Sequence, residues 1–176
     1  MWSVFIGIES INEETLKEVR KGFNFSKVLK ALEILHKNNI IVIGNLIIGL
    51  DLNATEMDIK KEIQFMKHVD VDIISYCLLT PFPGSETLKD LEAKNLIITK
   101  DWSKYTVFDP VMKTFQLSPK ILLDLLYYSF RELKILNNWR GIASRIVKTR
   151  GLIFVLNPIQ LISLIKSFLK VRYLFK

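Results

Sequence analysis

The chain has 176 residues, of which 49% are hydrophobic. This is enough for one hydrophobic core of ordinary size with an appendage, and it excludes a disordered chain. Its one cysteine, Cys77, excludes an internal disulfide and cannot by itself hold a zinc ion or an iron–sulfur cluster, as expected in a reducing cytoplasm. The net charge of +7 comes from the tail, because residues 1–132 contain 16 Lys/Arg and all 18 Asp/Glu, whereas residues 133–176 contain 9 Lys/Arg and no acid.

Three short runs of β-branched and aliphatic residues predict strands. They cover residues 4–8, 40–48 and 71–79, about 35 residues apart. Their nearly continuous apolar character is typical of a sheet covered on both faces. Helical patterns between them give the order β-α-α-β-α-β, which predicts a parallel sheet with right-handed crossovers.

Capping residues indicate where the helices of this α/β pattern begin. Asn12 precedes the first helical segment and Ser26 the second. Thr55 and Asp58 have the spacing of a capping box at the start of the next helix. Each predicted crossover therefore has a start signal of its own.

Polar or unusual segments follow each predicted strand, at the end where parallel α/β folds bind ligands. The first is Glu9 with Ser10, whose carboxylate either accepts hydrogen bonds from a ribose or an amine or caps the next helix. Gly44 and Gly49 flank a strand end at which the backbone can approach a flat ligand, although a tight turn explains Gly49 equally well. The third, Thr-Pro-Phe-Pro-Gly-Ser at residues 80–85, either contacts a base or is simply a turn.

Taken together, four motifs resemble the later portion of radical S-adenosylmethionine (SAM) enzymes, most closely the group with an N-terminal cobalamin-binding domain. The motifs are Gly-Ile-Glu-Ser at 7–10, Ile-Ile-Gly-Leu-Asp at 47–51 followed by Thr55, Leu-Leu-Thr-Pro-Phe-Pro-Gly-Ser at 78–85, and Asp-Trp-Ser-Lys-Tyr at 101–105. The resemblance covers about residues 3–135, and the four motifs occur in the order typical of the family.

The resemblance implies a partial β/α barrel in which these three parallel strands are the fourth, fifth and sixth of six. It implies SAM as cofactor, with Glu9 at the ribose or amino-acid part. The cofactor-binding residues that it implies are Glu9, Ser10, Gly44, Gly49, Leu79 and Pro81. It leaves two orientations for Tyr76, into the barrel toward a substrate or outward into the packing. No catalytic residue and no metal ligand is predicted in this chain.

The sequence departs from the family in one essential feature. Family members bind a [4Fe–4S] cluster through Cys-x3-Cys-x2-Cys, and Cys77 alone, inside an apolar strand, is better interpreted as a small buried hydrophobic residue. One hypothesis is therefore a C-terminal fragment, enzymatically active only with a companion polypeptide that supplies the cluster, the early strands and, in the group that the motifs resemble, cobalamin. The other is a non-catalytic remnant or interaction module.

A basic, apolar, all-helical extension is predicted after the barrel-like part, dividing the chain into residues 1–117 and 118–176. Ser118 and Pro119 begin its first helix, and a second helix covers residues 139–148. Residues 152–176 form an amphipathic pattern that lies in a membrane interface or packs on the domain or a partner. Nucleic-acid binding is not favoured, because the basic residues alternate mainly with aliphatic ones. With no signal peptide recognised, we expect a cytoplasmic protein, with or without peripheral membrane contact.

Overall fold

Three parallel strands form one sheet in the order β1-β2-β3 in the computed structural model, which describes residues 3–19, 21–133 and 138–150. The strands are β1 (Ser3–Glu9), β2 (Ile41–Ile48) and β3 (Ile73–Leu78). The helices are α1 (Glu13–Glu18), α2 (Phe25–Lys37), α3 (Glu56–Met66), α4 (Glu86–Ala93), α5 (Pro119–Glu132) and α6 (Trp139–Arg150). The predicted α/β fold with three parallel strands is confirmed, and closure into a partial barrel stays a prediction.

Three of the four predicted capping residues begin a helix as expected. The Asn12 side chain accepts hydrogen bonds at the start of α1, and Ser118 caps α5 with Pro119 in its first turn. Thr55 and Asp58 form the expected capping box, in which each side chain accepts from the other residue's backbone N–H. Local sequence chemistry therefore determines where these three helices begin.

The start of α2 differs from the prediction. The helix begins at Phe25, and its cap is Asn24, whose side chain accepts from the N–H of Lys27. Ser26 lies inside the first turn and donates its hydroxyl to Asn24 Oδ1 over 2.8 Å. Ser26 as the cap was therefore wrong, because asparagine is an equally strong capping residue and lies two positions earlier.

The two faces of the sheet have different surroundings. Alternate strand residues point to opposite faces, and one set packs with α2, α3 and α5 in the hydrophobic core. The strand members of this core are Ile8, Val42, Leu46, Ile48, Ile74, Tyr76 and Leu78. The other set forms what we call the open face: Phe5, Gly7, Ile43, Asn45, Ile47, Ile73, Ser75 and Cys77. The register between β1 and β2 shifts between Gly7 and Glu9, and the Glu9 side chain lies over Gly7, so Glu9 is counted with the open face. These residues are partly exposed, and Phe5 is 63% exposed.

Helix α5 shares the core of the sheet. Its residues Leu122, Leu125 and Leu126 are buried in the same cluster as the strands, and the helix contacts β2, β3 and α3. A boundary between two domains after residue 117 stays a prediction, as does the helix predicted within 152–176, which lies outside the described residues. Within the described ranges, no helix is both long and apolar enough to cross a lipid bilayer.

Candidate functional site

The segments that follow the three strands lie at one edge of the sheet, where ligands bind in parallel α/β folds. Glu9 ends β1, Gly49 follows β2, and Leu79 follows β3. The N–H of Leu79 donates to the carbonyl of Ile48 over 2.9 Å, which joins the second and third segments through the backbone. The sequence-predicted site residues at the strand ends therefore lie along the same edge.

Glu9 has an unusual backbone conformation. Its φ is +68°, in the left-handed region, and the N–H of Ser10 donates to the carbonyl of Ile8 over 2.9 Å, which closes a tight three-residue turn around Glu9. The side chain lies over Gly7, where a Cβ atom would stand only 2.4 Å from Glu9 Oε1. A left-handed glutamate is strained, and such strain is concentrated at functional sites.

Lys21 pairs with the Glu9 carboxylate. Its Nζ lies 2.7 Å from Oε1, with the lysine side chain 37% exposed and the glutamate side chain 13% exposed. Partly exposed ion pairs contribute little net stability, so the ammonium can exchange for hydroxyl donors of a ligand at small cost. The pair presents one acceptor group and one cation at the end of β1.

Polar side chains from β2 and β3 lie on the same open face as Glu9. Gly7, Asn45 and Ser75 are aligned across the three strands. Asn45 Nδ2 lies 3.5 Å from Cys77 Sγ, and burial raises the pKa of the Cys77 thiol. This face therefore offers amide, hydroxyl and carboxylate groups among apolar neighbours.

Ser10 is buried and already engaged. Its hydroxyl donates to Glu62 Oε2 over 2.8 Å and accepts from the N–H of Asn12, and the N–H of Ile11 donates to the same Glu62 oxygen over 3.2 Å. Burial raises the pKa of the Glu62 carboxyl. Sequence reasoning missed Glu62, since its position beside the apolar stripe of α3 does not reveal a partner 52 residues away.

Tyr76 has the outward of its two predicted orientations. Its side chain is almost fully buried against the helices, on the face opposite to Glu9, and its hydroxyl donates to Glu62 Oε1 over 3.4 Å. Burial raises the pKa of the Tyr76 hydroxyl. The ring is therefore part of the core.

Gly44 within β2 and Gly49 just after it have different roles in the structure. A Cβ at Gly44 would lie 2.6 Å from Ile8 Cδ1 and 3.0 Å from Val71 Cγ1, so its missing side chain makes room for core residues on the helix side. Gly49 has a φ of +86°, which L-residues rarely adopt, and its nearest neighbours would be at ordinary contact distance from a Cβ. Gly49 is required by its turn.

The segment after β3 lies beside the carboxyl-terminal edge of the sheet, where the predicted site residues are. Leu79 is half-buried and Pro81 is buried. The N–H of Leu78 donates to the carbonyl of Val107 over 2.8 Å, which brings residues 102–109 alongside β3. Within them, Trp102 is 49% exposed and contacts the ring of Tyr105, with centroids 4.7 Å apart. An exposed aromatic surface thus lies in the segment that borders the predicted site.

An open cleft of about 570 Å³ lies between the segment after β1, the loop after β2 and helix α3. Its polar lining includes Ser10, Asp51, Asp58, Lys61 and Glu62. Ser10 and Glu62 both line the cleft and are bonded to each other, and Ser10 directly follows Glu9. The cleft is therefore adjacent to the Glu9 turn.

A second polar cluster lies at the opposite, amino-terminal edge of the sheet. Asp72 is fully buried, and its carboxylate accepts from the N–H of Val42, from His36 Nε2 when that nitrogen carries a proton, and from Arg145. His36 also lies 3.1 Å from Asp70. These bonds attach α6 to the start of β3, far from Glu9, and removal of one partner from such a buried ion pair is destabilising.

The iron–sulfur cluster that the resemblance implies does not fit the residues present. The chain has one cysteine, and Cys77 lies partly buried in β3 with a thiol whose pKa is raised, whereas cluster ligands are thiolates. In the described ranges, no group of three or more His, Cys, Asp and Glu side chains is arranged to hold a metal ion.

Sequence comparisons connect this geometry to known proteins. The chain is 32% identical over 131 residues to an uncharacterized methyltransferase of Pyrococcus horikoshii, covering 73% of this chain and 28% of that protein. It is 27% identical over 166 residues to the bacteriochlorophyllide d C-8(2)-methyltransferase of Chlorobaculum tepidum, covering 93% and 34%. With the anaerobic magnesium-protoporphyrin IX monomethyl ester cyclase of Rubrivivax gelatinosus it shares 25% identity over 128 residues, covering 73% and 22%.

Its homologues are methyltransferases and radical SAM-type enzymes. No protein-family profile matches the chain. The chain spans about a quarter to a third of the length of these relatives, so it matches only a segment of each. The resemblance of the sequence motifs to this group is thereby supported at the level of the family.

Proposed function

We propose that the chain contributes the SAM-binding edge of a radical SAM methyltransferase-like enzyme. The observation that carries this proposal is Glu9, a carboxylate held in a strained turn at the carboxyl end of β1 and paired with a partly exposed lysine. SAM offers the complementary groups: ribose hydroxyls that donate to Glu9, and a carboxylate that accepts from Lys21. Hydrogen bonds to a charged group contribute about 1.5–3 kcal/mol each, enough to orient such a ligand.

The other predicted residues have supporting roles in this proposal. The backbone at Gly49, Leu79 and Pro81 borders the adenine, since these residues lie along the same edge and Gly49 has no side chain in its turn. Ser10 and Gly44 act indirectly, because Ser10 is bound to Glu62 and Gly44 accommodates Ile8. The cofactor contacts are thus divided between one charged pair and the backbone.

Radical chemistry requires a companion polypeptide or segment in this proposal. Reductive cleavage of SAM needs a [4Fe–4S] cluster as electron donor, and one cysteine cannot hold it. The companion supplies the cluster and, in the group that the motifs resemble, cobalamin. The open face is the surface that it covers, since the exposed Phe5 and the half-buried Ile43 and Ile73 form an apolar surface there. The companion's strands pair with β1, whose outer backbone edge has no partner strand among the described residues.

The relatives suggest the kind of substrate. Proteins named for bacteriochlorophyllide d, magnesium-protoporphyrin IX monomethyl ester and hopanoid are among them, and all three molecules have extended, largely apolar ring systems. An exposed Trp102 beside the edge fits such a surface. The proposed reaction is therefore modification of a large, flat or polycyclic apolar molecule, with methyl transfer as the favoured type.

The proposal is tested first by SAM binding. Equilibrium dialysis of the purified chain against labelled SAM should show binding that Glu9→Ala weakens about tenfold, or ~1.4 kcal/mol. The matched control is Glu13→Ala, an exposed glutamate in the first turn of α1, which should leave the affinity unchanged. Equal binding by wild type and Glu9→Ala would refute the assignment of Glu9.

Activity is tested with a companion. A neighbouring gene product that carries Cys-x3-Cys-x2-Cys is reconstituted anaerobically with iron and sulfide, with and without this chain, and 5′-deoxyadenosine is measured. We expect more product with the chain than without it, and less when the chain carries Glu9→Ala. If the chain makes no difference and binds no SAM, the alternative of a non-catalytic remnant or interaction module is supported.

A further inference from the structure

Glu62 connects helix α3 to the turn that presents Glu9. One oxygen of its carboxyl group, Oε2, accepts from both the Ser10 hydroxyl and the Ile11 N–H, the two residues that follow Glu9 directly. The Ser10 hydroxyl in turn accepts from the N–H of Asn12, so three consecutive residues are held by one side chain and its partner.

We infer that Glu62 is a positioning residue that holds the Glu9 turn in its ligand-binding geometry, an inference that rests on the proposed function of Glu9. A glutamate at φ +68° persists only where its surroundings fix it more firmly than the strain opposes it. The described bonds that fix the residues after Glu9 include the internal turn bond from Ser10 to Ile8 and the two long-range bonds to Glu62. Of these, the bonds to Glu62 tie the turn to a rigid helix.

The site of attachment is itself rigid. Glu62 is next to Ile63 in α3, and the Ile63 side chain is fully buried in the hydrophobic core. The second carboxyl oxygen of Glu62, Oε1, accepts from the Tyr76 hydroxyl of β3. A partly buried carboxyl group that accepts from several donors keeps one orientation. Because both bonds to the turn use Oε2, a proton on Oε1 leaves them intact, and the clamp works in either protonation state of Glu62.

The test compares Glu62→Ala with Glu62→Gln in the full chain. Glutamine retains an acceptor oxygen at the same reach, so it should keep SAM affinity within about twofold, whereas alanine should weaken binding about tenfold. Hydrogen exchange of the peptide covering residues 7–14 should rise in Glu62→Ala and stay near wild type in Glu62→Gln. Ile63→Val is the matched structural control: it should lower Tm without changing either the exchange of that peptide or the affinity.

A double variant separates positioning from general stability. In a Glu9→Ala background, Glu62→Ala should cause no further loss of SAM affinity, because the group that it positions is gone. Ser10→Ala, which removes one of the two bonds, replaces Glu62→Ala if that variant does not fold. Equal exchange and affinity in Glu62→Ala and wild type would overturn the inference. If wild type binds no SAM, the proposed function fails, and the exchange comparison alone decides whether Glu62 holds the turn.

Discussion

Replacing Gly44 with alanine should destabilise the chain by crowding the core on the helix side of β2. The new Cβ would lie 2.6 Å from Ile8 Cδ1 and 3.0 Å from Val71 Cγ1, and both neighbours are fully buried. Such overpacking costs about 1–3 kcal/mol. Alanine recovers roughly 0.5–1 kcal/mol as the better strand residue, so we expect a net loss of about 1–2 kcal/mol. For a chain of this size, the Tm should fall by roughly 2–8 °C.

The contact with Ile8 Cδ1 as the cause of the destabilisation by Gly44→Ala is tested by removing that atom. Ile8→Val deletes Cδ1 and should by itself cost about 0.5–1.5 kcal/mol. If the contact is correct, Ile8→Val combined with Gly44→Ala should cost less than the sum of the single variants by about 1 kcal/mol in urea unfolding. Gly22→Ala is the control, since no heavy atom lies within 4 Å of its added Cβ, and it should change stability by less than about 0.5 kcal/mol.

The same variants separate packing from ligand contact at Gly44. If its missing side chain serves the core, Gly44→Ala lowers stability, and Ile8→Val relieves the loss. If it serves the approach of a ligand, Gly44→Ala instead lowers SAM affinity at unchanged stability, and Ile8→Val gives no relief. The second pattern, or strictly additive stability losses, would refute the packing argument.

Three further predictions concern buried polar groups. Asp72→Asn should cost about 3–5 kcal/mol in urea unfolding because it leaves Arg145 without its buried anion, whereas Asp70→Asn, at an exposed position, should cost far less. Burial raises the pKa of the Glu62 carboxyl group in the folded chain. The contribution of this shift to the free energy of unfolding is therefore complete below the unfolded pKa of about 4.3, and it is lost as the pH rises through the pKa of the folded chain. Wild type should thus lose stability relative to Glu62→Gln above that pH, and parallel pH profiles would contradict this. The raised pKa of Cys77 predicts slow alkylation by iodoacetamide at pH 8 in the folded chain and fast alkylation in urea, and equal rates would disprove it.

Local sequence rules predicted the strands and three of the four proposed helix caps because both depend on neighbouring residues. Hydrophobic runs gave three parallel strands, and Thr55 with Asp58 gave a capping box that the structure contains. Ser26 failed because two capping residues compete within three positions, and only the backbone decides between Asn24 and Ser26. Because of such competition, the start of a helix can be predicted from sequence only to within one turn.

The long-range polar contacts could not be predicted from one sequence. Ser10 and Glu62 are 52 residues apart, and Asp72 and Arg145 are 73 apart, so no local pattern pairs them. For the same reason the sequence does not reveal that Ile8 packs beside Gly44, and the ligand contact predicted for this glycine stays a prediction. The position of Glu9 at a strand end was predictable, but its strained turn and its support by α3 emerge only from the fold.

The position of Glu9 on the open face links ligand binding to the companion. Covering that face would remove water from around Glu9 and Lys21, and a lower local dielectric strengthens every charge interaction there, including those with a bound ligand. SAM should therefore bind more tightly when a companion is present. By linkage, SAM must then strengthen binding of the companion by the same factor. Titrations of the companion with and without SAM measure that factor, and a Glu9→Ala chain should reduce it toward one. A factor of one for wild type would show that the companion does not cover the Glu9 side of the sheet.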